Sequence, residues 1–154
     1  MRQFVGDGTP LHWDGPIPDE LNEIMRGGLS VNGDCLLLAK AGWLPTLDSV
    51  REALTDKTGY ECFVNHAHFK EKKGDSIAAL RHAVAFCKRI SSEARRAARN
   101  RILRFIIGKN GNDWTVRFHT LRPDESWVTD DLESYAEEAI LVLDSSELLP
   151  RNIS

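Results

Sequence analysis

The chain has 154 residues, of which 42% are hydrophobic and 28% charged, and its formal net charge is −3 at pH 7. These values are ordinary for one globular domain and exclude collagenous and low-complexity classes. The longest apolar runs, such as Ala139 to Leu143, are far shorter than the roughly 18 residues that span a bilayer. The N-terminus lacks the apolar stretch of a secretion signal. We therefore expect a cytoplasmic protein with no membrane association.

The three cysteines, Cys35, Cys62 and Cys87, are widely spaced and form neither a CxxC pair nor a zinc-finger pattern. Each lies in an apolar run, where a free cysteine behaves as a small buried hydrophobe. This pattern predicts free buried thiols and is typical of a reducing compartment.

One helix and one strand are predicted in the first 40 residues. Residues 1–15 form an irregular lead-in. A helix begins near Pro18, which suits the first helical turn, and ends at Gly27-Gly28. Leu36 to Lys40 is a short apolar run and predicts a buried strand.

A second helix and a second strand are predicted before residue 70. The helix runs from Leu47 to about Lys57, and Gly59 is expected to end it. Glu61 to His68 alternates loosely between apolar and polar residues, which favours a strand. The charged residues from Lys70 to Gly74 are expected to form a solvated loop.

The longest predicted helix begins at Asp75 or Ser76. Its apolar stripe contains Ile77 and Leu80 and recurs at three- and four-residue steps as far as Ile90. We expect a break at Ser91-Ser92-Glu93 and a second, arginine-rich helical piece from Ala94 to Asn100.

A β-hairpin is the clearest structural prediction. Ile102 to Ile107 is one strand, Lys109 to Asn112 is a turn with an Asn-Gly pair, and Trp114 to Leu121 is the return strand. A short helix near Asp131 to Tyr135 and a strand from Glu138 to Leu143 are predicted to follow. The element order predicts a single α+β domain with a mixed or antiparallel sheet, a hairpin at 102–121 packed by helices, and a loose tail at 148–154.

Charge is distributed unevenly along the chain. The basic segment, Lys70 to Arg104, has eleven Lys or Arg and three acids, whereas the acidic segment, Pro123 to Glu147, has nine acids and no base. Two interpretations stay open: the two segments neutralise each other within the fold, or the acidic segment is a binding surface.

The second interpretation predicts a protein partner with a basic surface. Aromatic residues among acids are typical of interaction hot spots. Such a surface attracts a basic protein electrostatically and speeds its association. The expected partner-binding residues are Asp124, Glu125, Trp127, Asp130, Asp131, Glu133, Tyr135, Glu137 and Glu138. No catalytic residue, metal or cofactor is expected under this interpretation.

Two other classes of function are alternatives. His66, His68 and His119 could bind a metal or transfer protons in a small hydrolase or nuclease, although ordinary strand or loop histidines are the better explanation. Arginines from Arg95 to Arg104 could contact RNA, but no Phe or Tyr lies among them to stack on bases. Nucleic acid is therefore not the expected partner.

Four short stretches resemble immunity proteins of bacterial contact-dependent growth inhibition and related polymorphic toxin systems. They are Trp114 to His119, Glu125-Ser126-Trp127, Asp131 to Tyr135 and Glu137 to Val142, all within the C-terminal third of the chain. The resemblance implies a small cytoplasmic antitoxin that is not an enzyme. It would bind a cognate toxin domain, commonly a nuclease, and cover its active site. Because such proteins differ widely in fold, the resemblance implies no architecture.

Overall fold

A four-stranded antiparallel sheet forms the centre of the fold. The computed structural model describes residues 16–39, 56–125 and 139–148. The strands are β3 (His66–Lys70), β4 (Leu103–Asn110), β5 (Asp113–Thr120) and β6 (Ala139–Asp144), in the spatial order β3-β5-β4-β6. A second sheet consists of β1 (Leu29–Asn32) and β2 (Cys35–Leu38), which pair antiparallel. The helices are α1 (Asp19–Met25), α2 (Lys57–Val64), α3 (Ser76–Ala97) and α4 (Ser145–Leu148). The predicted α+β class is confirmed.

The predicted hairpin is the β4–β5 pair. Gly111 in its turn has a φ of 60°, a conformation that glycine adopts without strain. Trp114, Val116 and Phe118 on one face of β5 are all buried, as the alternation predicted. β6 pairs with the other edge of β4, so the predicted strand at 138–143 is also confirmed.

The hydrophobic core lies between this face of the sheet and α3. Helix α3 is capped by the side chain of Asp75, which accepts a hydrogen bond from the amide of Ala78 at 3.0 Å. The predicted break at Ser91 is wrong, because its hydroxyl donates to the carbonyl of Cys87 at 2.8 Å and the helix continues. Ile77 was also assigned wrongly to the apolar stripe, since it is 51% exposed.

The region around residue 60 differs from the prediction. Glu61 to Val64 is helical, and the strand is His66–Lys70 instead. Gly59 does not end a helix: it lies in the first turn of α2, where its amide donates to the Asp56 side chain at 2.7 Å. The helix predicted for residues 47–57 lies outside the described residues except at its end.

The sequence analysis also overlooked the β1–β2 hairpin. All four residues of β2 are buried. Leu36 and Leu38 join the main core, whereas Cys35 and Leu37 pack with residues of α2 on the opposite side. The turn contains Gly33, whose φ is 58° and which follows Asn32, so an Asn-Gly signal was present here too.

Glu61 joins the two sheets through its buried side chain. Its carboxylate accepts hydrogen bonds from the amide of Leu36 in β2 at 2.9 Å and from the amide and hydroxyl of Thr120 in β5 at 3.1 and 2.9 Å. The guanidinium of Arg122 donates to the same carboxylate. The side chain of Glu61 is fully buried and that of Arg122 is 14% exposed, so this ion pair is shielded from solvent.

Asn65, one helical turn after Glu61, extends the connection. Its side-chain oxygen accepts from the amide of Leu38 at 2.8 Å, and its side-chain amide donates to the carbonyls of Leu36 at 2.8 Å and Phe118 at 3.3 Å. The amide of Phe118 donates to the backbone carbonyl of Asn65 at 3.2 Å. Glu61 and Asn65 thus satisfy backbone groups of β2 and β5 that no strand of the described residues pairs at this position.

We expect Glu61→Ala to lower the free energy of unfolding by about 3–5 kcal/mol, because it removes the buried carboxylate that pairs with Arg122 and leaves two amides without their acceptor. Urea unfolding followed by circular dichroism measures this loss. Glu23→Ala is the control, since the Glu23–Arg26 pair is solvent-exposed and contributes less than about 1 kcal/mol. A similar small effect for both variants would contradict the role assigned to Glu61.

Candidate functional site

The first acids of the acidic segment lie beside α2. Asp124 is exposed. Glu125 accepts hydrogen bonds from the amides of Lys57 at 3.0 Å and Thr58 at 3.4 Å, where a carboxylate interacts favourably with the positive end of the helix dipole. Its other oxygen lies 3.6 Å from the guanidinium of Arg122. Glu125 therefore has a structural role at the start of the segment.

The last acids of the segment are also held by internal contacts. Arg104 donates to both carboxylate oxygens of Asp144, at 2.8 and 3.1 Å, and the pair is partly buried. Glu147 accepts from the amide of Asp144 at 2.7 Å and so caps α4. Arg104 belongs to the basic segment, so the two charged segments do neutralise each other at this contact.

Most of the residues predicted to bind a partner lie between Glu125 and Asp144 in the sequence. Those outside the described residues are Trp127, Asp130, Asp131, Glu133, Tyr135, Glu137 and Glu138. The helix predicted near Asp131 to Tyr135 also lies outside them. Of the nine acids of the segment, Glu125, Asp144 and Glu147 have internal contacts and Asp124 is exposed. The other five lie outside the described residues.

The three histidines proposed as a metal site do not form one. His66 and His68 lie on β3 with ring centroids 5.1 Å apart. His119 is 1% exposed, and its Nδ1 bonds to the carbonyl of Thr120 at 2.8 Å. Across residues 16–39, 56–125 and 139–148, no group of three or more His, Cys, Asp or Glu side chains has the arrangement to hold a metal ion.

The arginines proposed to contact RNA have different environments. Arg96 lies in the last turn of α3 and is largely exposed. Arg101 instead donates to the carbonyls of Asp34 at 2.7 Å and Gly33 at 3.2 Å, and thereby holds the β1–β2 turn. Because Arg104 pairs with Asp144, the run from Arg95 to Arg104 is not one continuous solvent-facing surface.

A cavity of about 250 Å³ lies between the start of α1, the 70–75 loop and the first turns of α3. Its charged lining residues are Glu20, Lys70, Glu71, Lys72, Lys73, Asp75 and His82. Glu71 is already engaged, because it accepts from the indole of Trp114 and the hydroxyl of Ser76, both at 2.9 Å. Three acids offset three lysines, so the cavity has no preference for ligands of one charge sign.

The cysteines are buried and free, as predicted. Burial raises the pKa of the Cys62 thiol to about 12, so this thiol stays protonated and unreactive at neutral pH. Within the described residues, no helix has the length and apolar character needed to cross a membrane.

Sequence reasoning overlooked the polar residues that connect the sheets, Glu61, Asn65 and Arg122. One signal could have indicated them: Glu61 and Asn65 are four residues apart and interrupt an otherwise apolar stretch. Four-residue spacing places two side chains on one helix face.

Burial lowers the pKa of His119, and the hydrogen bond to the Thr120 carbonyl offsets this only in part. The folded state therefore favours the neutral imidazole, whereas the unfolded chain takes up a proton below a pH of about 6.5. We expect the free energy of unfolding to fall as the pH drops from about 7.5 to 5.5. His119→Asn, which retains a donor to Thr120 and does not titrate, should weaken this dependence. Urea unfolding at several pH values measures it, and equal slopes would contradict the prediction.

Comparisons with known proteins identify a family and no activity. The sequence profile described as "Uncharacterized protein PM0498 family" matches residues 9–154. No curated protein and no solved structure matches the chain. Because the family match covers all but the first eight residues, the chain belongs to the PM0498 family of uncharacterized proteins.

Proposed function

We propose that the chain is an immunity protein that binds and neutralises a basic toxin domain, such as a nuclease, through its acidic segment. The interacting residues are Asp124 and the acids and aromatics between Trp127 and Glu138. The protein acts in the cytoplasm, where a toxin delivered from another cell would act. It is a binding protein rather than an enzyme and requires no cofactor.

The anchoring of the acidic segment at both ends is the observation that carries this proposal. At the start, Arg122 pairs with the buried Glu61 and Glu125 caps α2. At the end, β6 pairs with β4 and Asp144 binds Arg104. A segment that is fixed at both ends loses less conformational entropy on binding than a free tail does, which favours tight association.

The pairing of the acids also supports the proposal. Glu125, Asp144 and Glu147 have internal contacts, whereas Asp124 is exposed. We assign Asp124 and the five acids outside the described residues to the partner. Several bases of the basic segment pair elsewhere: Lys70 with Asp113, and Arg89 and Arg96 with Glu93. These contacts reduce the charge available to neutralise the acidic segment from within.

A basic nuclease is a suitable target because it must attract nucleic-acid phosphates. The carboxylates would occupy the positions of those phosphates or bind the lysines and arginines that hold them. Charge complementarity raises the association rate, and Trp127 would supply the apolar contact that slows dissociation.

The direct test is co-expression with the toxin domain encoded by the neighbouring gene. Cells that produce the toxin should survive only when this chain is present, and the two proteins should co-purify. Toxicity that persists despite comparable expression of both proteins would overturn the proposal. An unrelated toxin domain, against which no protection is expected, is the control for specificity.

We expect the double variant Asp130→Lys and Asp131→Lys to raise the dissociation constant of the complex at least about tenfold, because charges within an interface become repulsive. Glu23→Lys with Asp113→Lys is the matched control: it reverses two exposed acids outside the acidic segment. Isothermal titration calorimetry at two salt concentrations measures both effects. An unchanged dissociation constant for the first pair would contradict the assigned interface.

A further inference from the structure

Four polar side chains lie together on the face of β3 and β5 that points away from α3. His66 is directly opposite Arg117, and His68 is directly opposite Thr115. Directly opposed residues in an antiparallel pair project from the same face with their Cβ atoms about 4.5–5.5 Å apart. The alternate residues of both strands, such as Phe69 and Trp114, are buried in the core.

Hydrogen bonds orient both imidazoles of this cluster. His66 donates from Nδ1 to the carbonyl of Phe63 at 2.6 Å, so its Nε2 is directed away from that carbonyl. Nδ1 of His68 lies 3.3 Å from the hydroxyl of Thr115. The two rings approach edge to face at 5.1 Å. His68 is exposed and the other three side chains are half-buried, so the cluster is accessible from solvent.

Arg117 differs from the other two arginines of this region of the sheet. Arg104 binds Asp144 through two hydrogen bonds, and Arg122 binds Glu61. For Arg117, by contrast, the described part of the chain supplies neither a carboxylate nor a hydrogen-bond acceptor. Arg117 as a whole residue is half-buried, and a partly buried cation gains from an anionic partner more than a fully exposed one does.

We propose that His66, His68, Thr115 and Arg117 form a binding site for a phosphoryl group. The guanidinium of Arg117 presents two parallel N–H donors, which match two oxygens of a phosphate. An imidazolium ring donates from both nitrogens, so in that form His66 and His68 add donors beside the threonine hydroxyl. A tetrahedral phosphoryl group accepts hydrogen bonds from several directions, so it uses these donors better than a planar carboxylate does.

The ligand is a phosphate ester or free phosphate, and its source is open to experiment. Binding of wild-type protein to inorganic phosphate, to a nucleoside 5′-monophosphate and to a short single-stranded RNA is measured at pH 6.5 and low salt. Binding of all three identifies the phosphoryl group as the recognised feature. Binding of the monophosphate or the RNA alone shows that a nucleoside contributes. Failure of all three to bind at millimolar concentration overturns the proposal.

Variants then locate the site. Arg117→Met retains the apolar stem and should weaken binding about tenfold or more, and Arg117→Lys should fall between it and wild type because the fork of donors is lost. Arg89→Met is the matched control, since it removes a largely exposed arginine from α3. Equal affinities of Arg117→Met and wild type would overturn the assignment.

NMR spectra of the wild-type protein locate the site without relying on variants that could misfold. In NMR spectra, phosphate should shift the imidazole resonances of His68 and His66 and the amide of Thr115 more than those of His82 on α3. Shifts confined to other residues would contradict the proposed site. Toxin binding does not depend on this cluster, so a failure here leaves the proposed function intact, and the reverse also holds.

Discussion

The fold depends on a buried carboxylate. Glu61 is fully removed from solvent, and transfer of a carboxylate into a protein interior costs several kcal/mol. Arg122 and three donors from β2 and β5 offset this cost, and each of those donors would otherwise be buried without an acceptor. Together these contacts constrain the placement of α2 against both sheets. The contribution of the network is therefore chiefly to specificity, because it fixes how the hairpin of β1 and β2 sits against the main sheet.

The same network determines where the acidic segment begins. Arg122, which neutralises Glu61, is three residues before Glu125, and Glu125 in turn accepts from the first amides of α2. The helix is thus fixed on one side by its own buried acid and at its N-terminus by an acid from the segment. At the other end, Asp144 forms an ion pair with Arg104 and fixes β6 against β4. A change in the interior at Glu61 would therefore displace the start of a surface that is far from it in sequence.

Short-range sequence patterns predicted correctly those helices and strands that are stabilised by contacts between residues close in sequence. The hairpin of β4 and β5 has an Asn-Gly turn, and β5 alternates between polar and apolar residues. Helix α3 has a capping Asp75 and an apolar stripe. The end of α2 was mistaken for a strand because Glu61 to His68 alternates loosely between polar and apolar residues, although Glu61 itself is buried. The partners of Glu61 are 25 to 61 residues away, and no local pattern indicates such contacts. For the same reason, the sequence did not distinguish Glu125 and Asp144 from acids available to a partner.

Ion pairs and hydrogen bonds within the fold therefore distinguish charged residues with a structural role from charged residues that are available to bind a partner. Arg104, Arg122, Glu125 and Asp144 each have a protein partner in or beside the sheet, which explains their presence by folding alone. A charge that has no partner in the folded protein is partly desolvated without a contact that offsets the loss of hydration free energy. Binding an ion of opposite sign supplies that contact. Among the described acids of the segment, this criterion removes Glu125, Asp144 and Glu147 from the candidate surface and leaves Asp124. Applied to the arginines of the sheet, it selects Arg117.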